Sequence, residues 1–328
     1  MYKAKIDKAI ESLKLAAEMS KEFYGKDVVL CYSGGKDSDC LVYLALEAGI
    51  PFEVINSHTT VDSPITVKYI KDKFKQLNDK GIKATVLIPK YDNGKPKTMW
   101  NLIENNGMPP TRLARYCCQE LKEVSIPNRL ICLGVRKEES TQRKSRNVFE
   151  VRGKTKATSK NFDFEHTLNV YNDNLKVSAE LGKAVNEENS YDCTLIKACK
   201  QTQDVICNPI IDWTDSDVWN YIREHNYKYN PMYDLGYYRV GCVGCPMASY
   251  KEKKKQFYDF PSYKTNYIKA FDRMIKRRKE KGLSVTWKNG LDCFNWWTEK
   301  WKHEVKGQID LDVWLNESEV ENERKTES

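Results

Sequence analysis

The chain has 328 residues, of which 40% are hydrophobic and 30% are charged, and its formal net charge is +8. This composition is typical of a folded soluble protein, and no apolar run is long enough to span a membrane. The first residues include no apolar stretch of the kind found in signal peptides, and the eleven cysteines are odd in number. We therefore expect a cytoplasmic protein without a membrane partner, whose cysteines serve metal or redox chemistry rather than a disulfide framework.

The predicted elements alternate between strands and helices. Apolar runs of β-forming residues predict strands, and apolar residues at helical spacing predict helices. In chain order these are a helix over 3–24, a strand from 28, a helix ending at Gly49, a strand over 52–56, a helix from Pro64 to about 79, strands over 84–88 and 130–134, a helix beginning at 214–217, and a helical region over 248–305. The pattern predicts an α/β fold with a parallel, twisted sheet, helices on both faces and a C-terminal helical extension.

The domain organisation follows from changes in composition. We expect a main α/β domain over 1–247, interrupted at about 144–208 by an irregular insertion with room for a short hairpin. A basic helical extension over 248–315 and a disordered tail over 316–328 complete the chain. Trp213 and Trp219 are predicted core residues.

The basic charge is concentrated in residues 250–281, which hold twelve Lys and Arg against four Asp and Glu. Such a segment favours an anionic partner such as DNA or RNA, although a solvated helix face has the same composition. Aromatic residues interleave with the lysines. They could stack on bases or pack the helix against the domain. These are Tyr250, Phe257, Tyr258, Tyr263 and Tyr267.

A short glycine-rich stretch at residues 33–38 joins the first strand to the following helix. Its two glycines allow close backbone approach, while the helix N-terminus, a lysine and two serine hydroxyls favour a phosphate. The aspartate beside that phosphate requires Mg²⁺ or a basic neighbour. The spacing is not that of a Walker loop, and the alternative is a surface turn. The candidate binding residues are Ser33, Gly34, Gly35, Lys36, Asp37 and Ser38.

Two further loops, at 57–62 and 134–143, follow strands at the same edge of the predicted sheet, where ligands bind in such folds. His58 is a candidate for nucleotide contact or proton transfer, or a structural histidine. Asp62 is a candidate Mg²⁺ ligand or the cap of the helix at Pro64. The guanidinium groups that follow Gly134 suit phosphate oxygens and the charge on departing pyrophosphate. They belong to Arg136 and Arg143.

The cysteine pattern indicates a metal or cluster site. Cys242 and Cys245 form the sole Cys-x-x-Cys, followed by Pro246, and such a pair needs further ligands. The adjacent Cys117 and Cys118 are the next pair, although neighbouring helical residues point about 100° apart and would need local distortion to share one ligand. Cys199 is a further candidate. Zn²⁺ and buried thiols are the alternatives to an iron–sulfur cluster. Cys31, Cys40 and Cys132 are predicted core residues.

Several segments together resemble the phosphoadenosine phosphosulfate (PAPS) reductase family in its broad sense, within the PP-loop ATP pyrophosphatase superfamily. They are residues 33–38, 58–62, 115–122, 134–136 with Glu139, Ser140 and Arg143, 209–213 and 237–246. The resemblance spans about residues 25–300 and implies an adenine nucleotide alpha hydrolase-like fold that binds ATP. From the adenylyl-sulfate reductases of the family, it also implies a [4Fe–4S] cluster. Its ligands would be Cys117, Cys118, Cys242 and Cys245.

Two features differ from the sulfonucleotide reductases of this family. Those enzymes carry a nucleophilic cysteine in a mobile C-terminal motif, whereas the last cysteine here is Cys293. Their loop also tends to be eroded, whereas residues 33–38 are intact. Both differences favour members that still use ATP, such as the DNA phosphorothioation ATP pyrophosphatases, which combine a PP-loop with a cluster.

The resulting hypothesis is an ATP-dependent enzyme that forms AMP and pyrophosphate, adenylates nucleic acid and transfers sulfur to it. Lys36, Asp37, Arg136 and Arg143 are the expected catalytic residues. Sulfur would come from a persulfide on Cys199 or from a partner cysteine desulfurase, and Cys199 could equally be structural. Two alternatives remain. One is a sulfonucleotide reductase that releases sulfite with an external thiol. The other is a nucleotide-sensing regulator that binds nucleic acid.

Overall fold

The structure is a computed structural model that describes residues 2–122, 126, 129–152 and 204–299. Cys199, the tail from residue 316 and most of the predicted insertion lie outside these ranges. Nothing in the structure therefore bears on the proposed persulfide cysteine or on the tail.

The core of the fold is a six-stranded sheet with strand order β3-β2-β1-β4-β6-β5. Neighbouring strands are parallel except for β5, which runs antiparallel to β6 at one edge. The predicted α/β sheet with surrounding helices is confirmed. The strands are β1 (Val28–Cys31), β2 (Phe52–Ser57), β3 (Ala84–Leu87), β4 (Ile131–Cys132), β5 (Phe149–Arg152) and β6 (Asp204–Cys207).

The central strands are buried on both faces, as their unbroken apolar runs predict. Val28 and Leu30 of β1 belong to the main core, whereas Val29 packs on the opposite face of the sheet. This alternation follows from the two-residue period of a strand. Cys40 and Cys132 are fully buried in the main core, as the sequence predicts, and Cys31 packs partly buried on the other face.

The last two strands lie where the sequence predicted an irregular insertion. Arg152 pairs with Asp204, so the chain leaves and re-enters the sheet at neighbouring positions. Both strands have only four residues, and one alternates apolar with charged residues. Such short segments give a weak periodic signal, which explains why sequence reasoning found four strands rather than six.

Nine α-helices surround the sheet in the described part of the chain, together with 3-10 turns at Lys137–Glu139 and Thr141–Arg143. Proline and glycine divide the predicted C-terminal helical region into three helices. The middle helix, Pro261–Glu280, starts at Pro261 and ends before Gly282. The helices are α1 (Tyr2–Tyr24), α2 (Lys36–Ala48), α3 (Pro64–Asp79), α4 (Met99–Asn106), α5 (Tyr116–Leu121), α6 (Asp215–Glu224), α7 (Tyr250–Asp259), α8 (Pro261–Glu280) and α9 (Gly290–Thr298).

Two cores hold these helices in place. The main core joins α1, α2, α3 and α6 to the sheet, and Trp213 is buried within it with Trp219 packed against it. A second core joins α4 and α5 to the C-terminal helices α7, α8 and α9. None of the described helices combines the length and apolar character needed to cross a membrane.

A buried polar cluster lies in the first turns of α2. Asp39 is fully buried and accepts hydrogen bonds from the hydroxyls of Tyr32 (2.6 Å) and Tyr69 (2.9 Å). The ammonium group of Lys73 lies 3.8 Å from the same carboxylate. Loss of solvation on burial outweighs these partners and raises the pKa of Asp39 from 3.8 to about 6.

Exchanging Asp39 for Asn isolates the cost of this buried charge. The folded chain keeps the Asp39 proton up to about pH 6, whereas the unfolded chain releases it near 3.8. The contribution to stability is therefore complete below about pH 4 and is lost as the pH rises through 6. Relative to Asp39→Asn, the wild type should lose about 3 kcal/mol over this window, from about 1.36 kcal/mol per pKa unit.

Urea denaturation of both proteins between pH 3.5 and 7 measures the difference. Asn can accept a hydrogen bond from just one of the two tyrosines, so the variant is expected to be less stable overall. The diagnostic quantity is the pH dependence of the difference. A difference that stays constant across this range would contradict the raised pKa.

Candidate functional site

Loop 33–38 follows β1 and forms the N-terminus of α2. Gly34 has a φ of +76°, and a Cβ there would lie 3.0 Å from Ile70 of α3. The Ser38 hydroxyl donates to the Gly35 carbonyl at 2.7 Å and accepts the Ser33 N–H at 3.3 Å. The glycine is thus required by the positive φ and the close helix, and the serine holds the turn closed.

Gly134 lies directly against this loop. A Cβ at Gly134 would be 2.9 Å from the carbonyl oxygen of Asp37 and 3.2 Å from the backbone nitrogen of Ser38. The chain after β4 therefore passes the first turn of α2 at a distance that suits glycine alone. This contact brings the predicted arginine segment to the loop.

An ion network occupies the mouth of the loop. The Lys36 ammonium lies 2.9 Å from Asp215 and 3.5 Å from Asp37, although Lys36 is only 4% exposed. Arg136 donates its Nε to Asp37 at 2.6 Å, Nη1 to Glu138 at 2.9 Å and Nη2 to Asp215 at 3.1 Å. Burial alone would lower the pKa of Arg136, but the carboxylates of Asp37, Glu139 and Asp215 outweigh burial and raise it. Lys36 and Arg136, two of the cations expected to bind phosphate, therefore lie together at the mouth of the loop.

Residues 230–240 lie over the loop from the other side. Asn230 donates to the Gly34 carbonyl at 2.8 Å, and the Tyr233 hydroxyl accepts the Lys36 backbone N–H at 2.9 Å. The Lys36 ammonium lies 5.7 Å from the ring centroids of both Tyr233 and Tyr238. Tyr238 itself is 73% exposed.

Sequence reasoning missed several of these groups, namely Glu138, Asp215, Asn230 and Tyr233. Asp215 lies within the Thr214–Asp217 capping box of α6. In the sequence, helix capping was therefore a sufficient explanation for this aspartate. Only the fold brings it beside Lys36. No local signal in the sequence marks Asn230 or Tyr233.

The other predicted residues near the loop, Arg143, His58 and Asp62, lie in three different environments. Arg143 pairs with Glu139, whose carboxylate also accepts the Arg136 N–H at 3.1 Å. His58 is half-buried where β2 ends, and its backbone N–H donates to Leu87. Asp62 does not cap α3, because the cap is Ser63, which accepts the Thr66 N–H at 3.1 Å. Asp62 instead lies beside the cysteines.

All four predicted cluster cysteines line one small pocket. Cys117 and Cys118 come from the first turn of α5, and Cys242 and Cys245 come from the loop that precedes α7. The other lining residues are Thr59, Met99, Leu121, Lys122 and Pro246. Residues far apart in sequence therefore converge, as the resemblance implies.

Positive charge surrounds these thiols. Arg115 lies 3.5 Å from the Cys118 sulfur, and a hydrogen bond from Cys117, with Arg115 and Lys122, lowers the pKa of Cys118. The thiolate form of Cys242, together with Asp62, raises the pKa of Lys122. Nearby cations stabilise the thiolate form that ligates metals.

The loop of Cys242 is held by the C-terminal helices. Tyr267 of α8 donates to the Val243 carbonyl at 2.9 Å, and Gln256 of α7 accepts the Gly244 N–H at 2.8 Å. Gly244 has a φ of +72°, and a Cβ there would lie 2.8 Å from Phe257. The helical extension therefore positions the cysteine pair.

The donor set suits an iron–sulfur cluster, because four thiols from two segments face one pocket beside basic groups. Among the described residues, no three His, Cys, Asp or Glu side chains are arranged to hold a metal ion.

A family profile described as the phosphoadenosine phosphosulfate reductase domain matches residues 27–248, more than half of the chain. The chain belongs to the phosphoadenosine phosphosulfate reductase family. The resemblance found in the sequence is thereby confirmed, and this PAPS reductase family member belongs to a family of enzymes.

Curated relatives extend this assignment. The PAPS reductase family chain is 23% identical to adenosine 5'-phosphosulfate reductase of Bacillus cereus over 252 residues, covering 74% of the chain and 83% of the relative. It is 43% identical to the Anoxybacillus flavithermus enzyme of that name over 54 residues, covering 16% of the chain and 23% of the relative. An uncharacterized Methanocaldococcus jannaschii protein is 26% identical over 217 residues, covering 66% of the chain and 41% of the relative. The chain thus spans less than half the length of some relatives it matches.

Solved structures show weaker similarity. PAPS reductase from Candida auris, in a phosphate complex, superposes with a TM-score of 0.41 and 15% identity, covering 71% of this chain and 87% of that one. The U34-tRNA thiolase of Methanococcus maripaludis, solved with its [4Fe-4S] cluster, superposes with a TM-score of 0.35 and 11% identity. The superposition covers 92% of this chain and 86% of that one.

Replacing Gly134 by Ala tests the contact between the arginine segment and the loop. The added methyl would meet the Asp37 carbonyl at 2.9 Å, so the backbone must shift. Such overpacking is expected to lower the free energy of unfolding by about 1–3 kcal/mol.

Gly241→Ala is the matched control, because a Cβ there has no neighbour within 4 Å among the described residues. Urea denaturation should separate the two variants. Equal stability of both would show that the loop and the segment after β4 are not in tight contact.

Proposed function

We propose that this protein is an ATP-dependent enzyme that adenylates a nucleic acid acceptor, releases pyrophosphate and then transfers sulfur to the activated position. The observation that carries the proposal is the intact loop 33–38, where Lys36 and Arg136 meet at the N-terminus of a helix. A glycine-rich loop, a helix dipole and two cations together suit a triphosphate.

In the first step, the ATP phosphates lie over the loop and compete with Asp37 and Asp215 for Lys36 and Arg136. Mg²⁺ entering with ATP offsets the charge of Asp37. An oxygen of the acceptor attacks the α phosphorus, the bond to the bridging oxygen breaks, and pyrophosphate leaves. The guanidinium of Arg136 stabilises the negative charge that develops on the departing oxygens. Arg143 pairs with Glu139 and in this way orients residues 134–143.

In the second step, a sulfur nucleophile attacks the atom that carries the adenylate, and AMP leaves. Adenylate is a better leaving group than oxide, which is why activation precedes sulfur transfer. A persulfide on Cys199 or on a partner cysteine desulfurase would supply the sulfur, and a reducing thiol would then cleave the remaining S–S bond. His58, which is half-buried where β2 ends, would contact the nucleotide.

Cys117, Cys118, Cys242 and Cys245 would hold a [4Fe–4S] cluster, with Zn²⁺ as the alternative ion. When bound, the cluster would supply an iron centre that can accept an electron or bind sulfur. Lys122 and Arg115 would offset the negative charge of the four thiolates. The Asp62 carboxylate lies 3.8 Å from the Cys242 sulfur, and Asp62 stays a candidate Mg²⁺ ligand.

A sulfonucleotide reductase that uses an external thiol is the second candidate, because several relatives bear the name adenosine 5'-phosphosulfate reductase. A reductase with its own nucleophile needs an accessible thiolate. Among the described cysteines outside the pocket, Cys293 is fully buried and burial raises its pKa to about 12. Cys31 has its pKa raised to about 12 as well, and the others are buried. None of these described cysteines supplies such a thiolate, so a reductase reaction would depend on an external thiol, and the intact loop 33–38 is the feature that favours the ATP-dependent reaction.

Product analysis tests the proposal directly. The protein, purified without oxygen and incubated with Mg²⁺ and ATP, should form AMP and pyrophosphate, and nucleic acid should stimulate the reaction. Lys36→Ala removes a phosphate-binding charge and should lower the rate by about 100-fold. Lys26→Ala, an exposed lysine before β1, is the control and should retain activity.

Intact ATP under every condition would overturn the proposal. Sulfite release from adenylyl sulfate with an added thiol would then identify the reductase. Nucleotide and nucleic acid binding without turnover would identify a sensor.

Metal analysis tests the cysteine pocket. Protein purified without oxygen should contain about four iron and four acid-labile sulfide per chain, the content of one [4Fe–4S] cluster. Cys242→Ser should lose most of this iron, because three thiolates hold a cluster less firmly than four.

Cys293→Ser serves as the control, since that cysteine is buried in the second core but does not line the pocket. Cys118→Ser alone tests whether the adjacent pair shares one cluster, and unchanged iron would exclude Cys118 as a ligand. Zinc without labile sulfide would replace the cluster by a Zn²⁺ site.

A further inference from the structure

The basic segment at 250–281 consists of two different surfaces. On α8, the arginines are used within the fold: Arg273 and Arg277 pair with Glu104, and Arg278 donates to the carbonyls of Gly107 and Ser284. The buried aromatic residues of this segment belong to the second core, and they are Phe257 of α7 with Tyr267 and Phe271 of α8. This part of the segment holds the helices together.

The outer face of α7 is different. Tyr258 is 86% exposed and Tyr250 is 45% exposed. Lys251 and Lys254 are exposed between them, and neither forms an ion pair within the ranges that the structure describes. We call these four residues the α7 face. Its two tyrosines are separated by eight residues, or about 12 Å along the helix.

Two neighbouring residues of α7, Lys255 and Asp259, link this helix to the proposed active site. α7 begins shortly after Cys245, and its Lys255 lies 4.5 Å from the ring centroid of Tyr237. The Tyr237 hydroxyl also donates to Asp259 at 2.6 Å. The next residue, Tyr238, is exposed and lies beside Lys36 of the loop. A continuous path therefore runs from α7 to loop 33–38.

We infer that the α7 face binds single-stranded nucleic acid, with backbone phosphates on Lys251 and Lys254 and unpaired bases stacked on Tyr250 and Tyr258. The inference rests on the proposed function, because the strand would lead its acceptor to the loop. Lysine alone attracts any polyanion, but exposed aromatic rings stack on bases that are not paired. At about 3.4 Å per stacked nucleotide, 12 Å spans three to four nucleotides.

Direct binding measurements test the face on the full chain. Fluorescence anisotropy with labelled 12-nucleotide oligouridine and oligothymidine, and with a duplex of equal length, needs no ATP. Single strands should bind at least tenfold more tightly than the duplex. Tyr258→Ala should weaken single-strand binding about tenfold, and Tyr258→Phe should restore it, because the ring rather than the hydroxyl stacks.

Paired lysine variants separate the α7 face from general charge. Lys251→Ala with Lys254→Ala should lower the slope of log affinity against log salt by about 1.4, from about 0.7 per phosphate. Lys269→Ala with Lys279→Ala, two exposed lysines of α8, removes the same charge and should change the slope little.

Equal effects of the two double variants, or duplex binding as tight as that of single strands, would overturn the inference. Tighter binding of oligouridine than oligothymidine would identify RNA as the partner, and the reverse would identify DNA. Because no ATP is present, a chain that fails to split ATP can still pass this test, and one that splits ATP can still fail it.

Discussion

The backbone N–H groups in the first turn of α2 have no partner inside the helix. Other parts of the structure accept hydrogen bonds from some of these donors and leave others uncovered. Tyr233 accepts the Lys36 N–H, and the Ser38 hydroxyl accepts the Ser33 N–H. These contacts require residues 230–240 to lie over the loop and α3 to lie against Gly34. The two elements approach from opposite ends of the sequence. The same requirement explains the close passage of Gly134, because any side chain there would push the helix terminus away from the anion it is suited to bind.

The loop and the cysteine pocket depend on the same two connections. Residues 57–63 leave β2 next to the loop, and Val61 accepts the Val243 N–H at 2.7 Å beside Cys242. Residues 230–245 pass from the Tyr233 contact to the cysteine pair in a single stretch. Short stretches of hydrogen-bonded backbone therefore join the two sites. The C-terminal helices complete this arrangement, because Tyr267 and Gln256 hold the backbone between the two cysteines.

The sequence was most informative where chemistry and backbone geometry impose the same residues. The Gly-Gly-Lys stretch between an apolar strand and a helix predicted the β1–α2 turn, and the β2, α3 and β3 boundaries were found within one residue. Asp215 and Tyr233 could not be predicted, because their roles depend on contacts across more than a hundred residues. The strands β5 and β6 were missed because four residues at a sheet edge carry little periodic signal. The cysteine pair of α5 could be connected to Cys242 through family resemblance alone, since helical spacing argued against it.

The pairing of Arg152 with Asp204 places the two ends of residues 153–203 side by side at the sheet edge. A change in the number of residues between these two positions would therefore leave the pairing of β5 with β6 in place. Loop closure adds only about 0.6 kcal/mol for each doubling of length. The edge is thus a natural graft point, where a recognition module could be exchanged between homologues while the nucleotide loop and cysteine pocket stay intact.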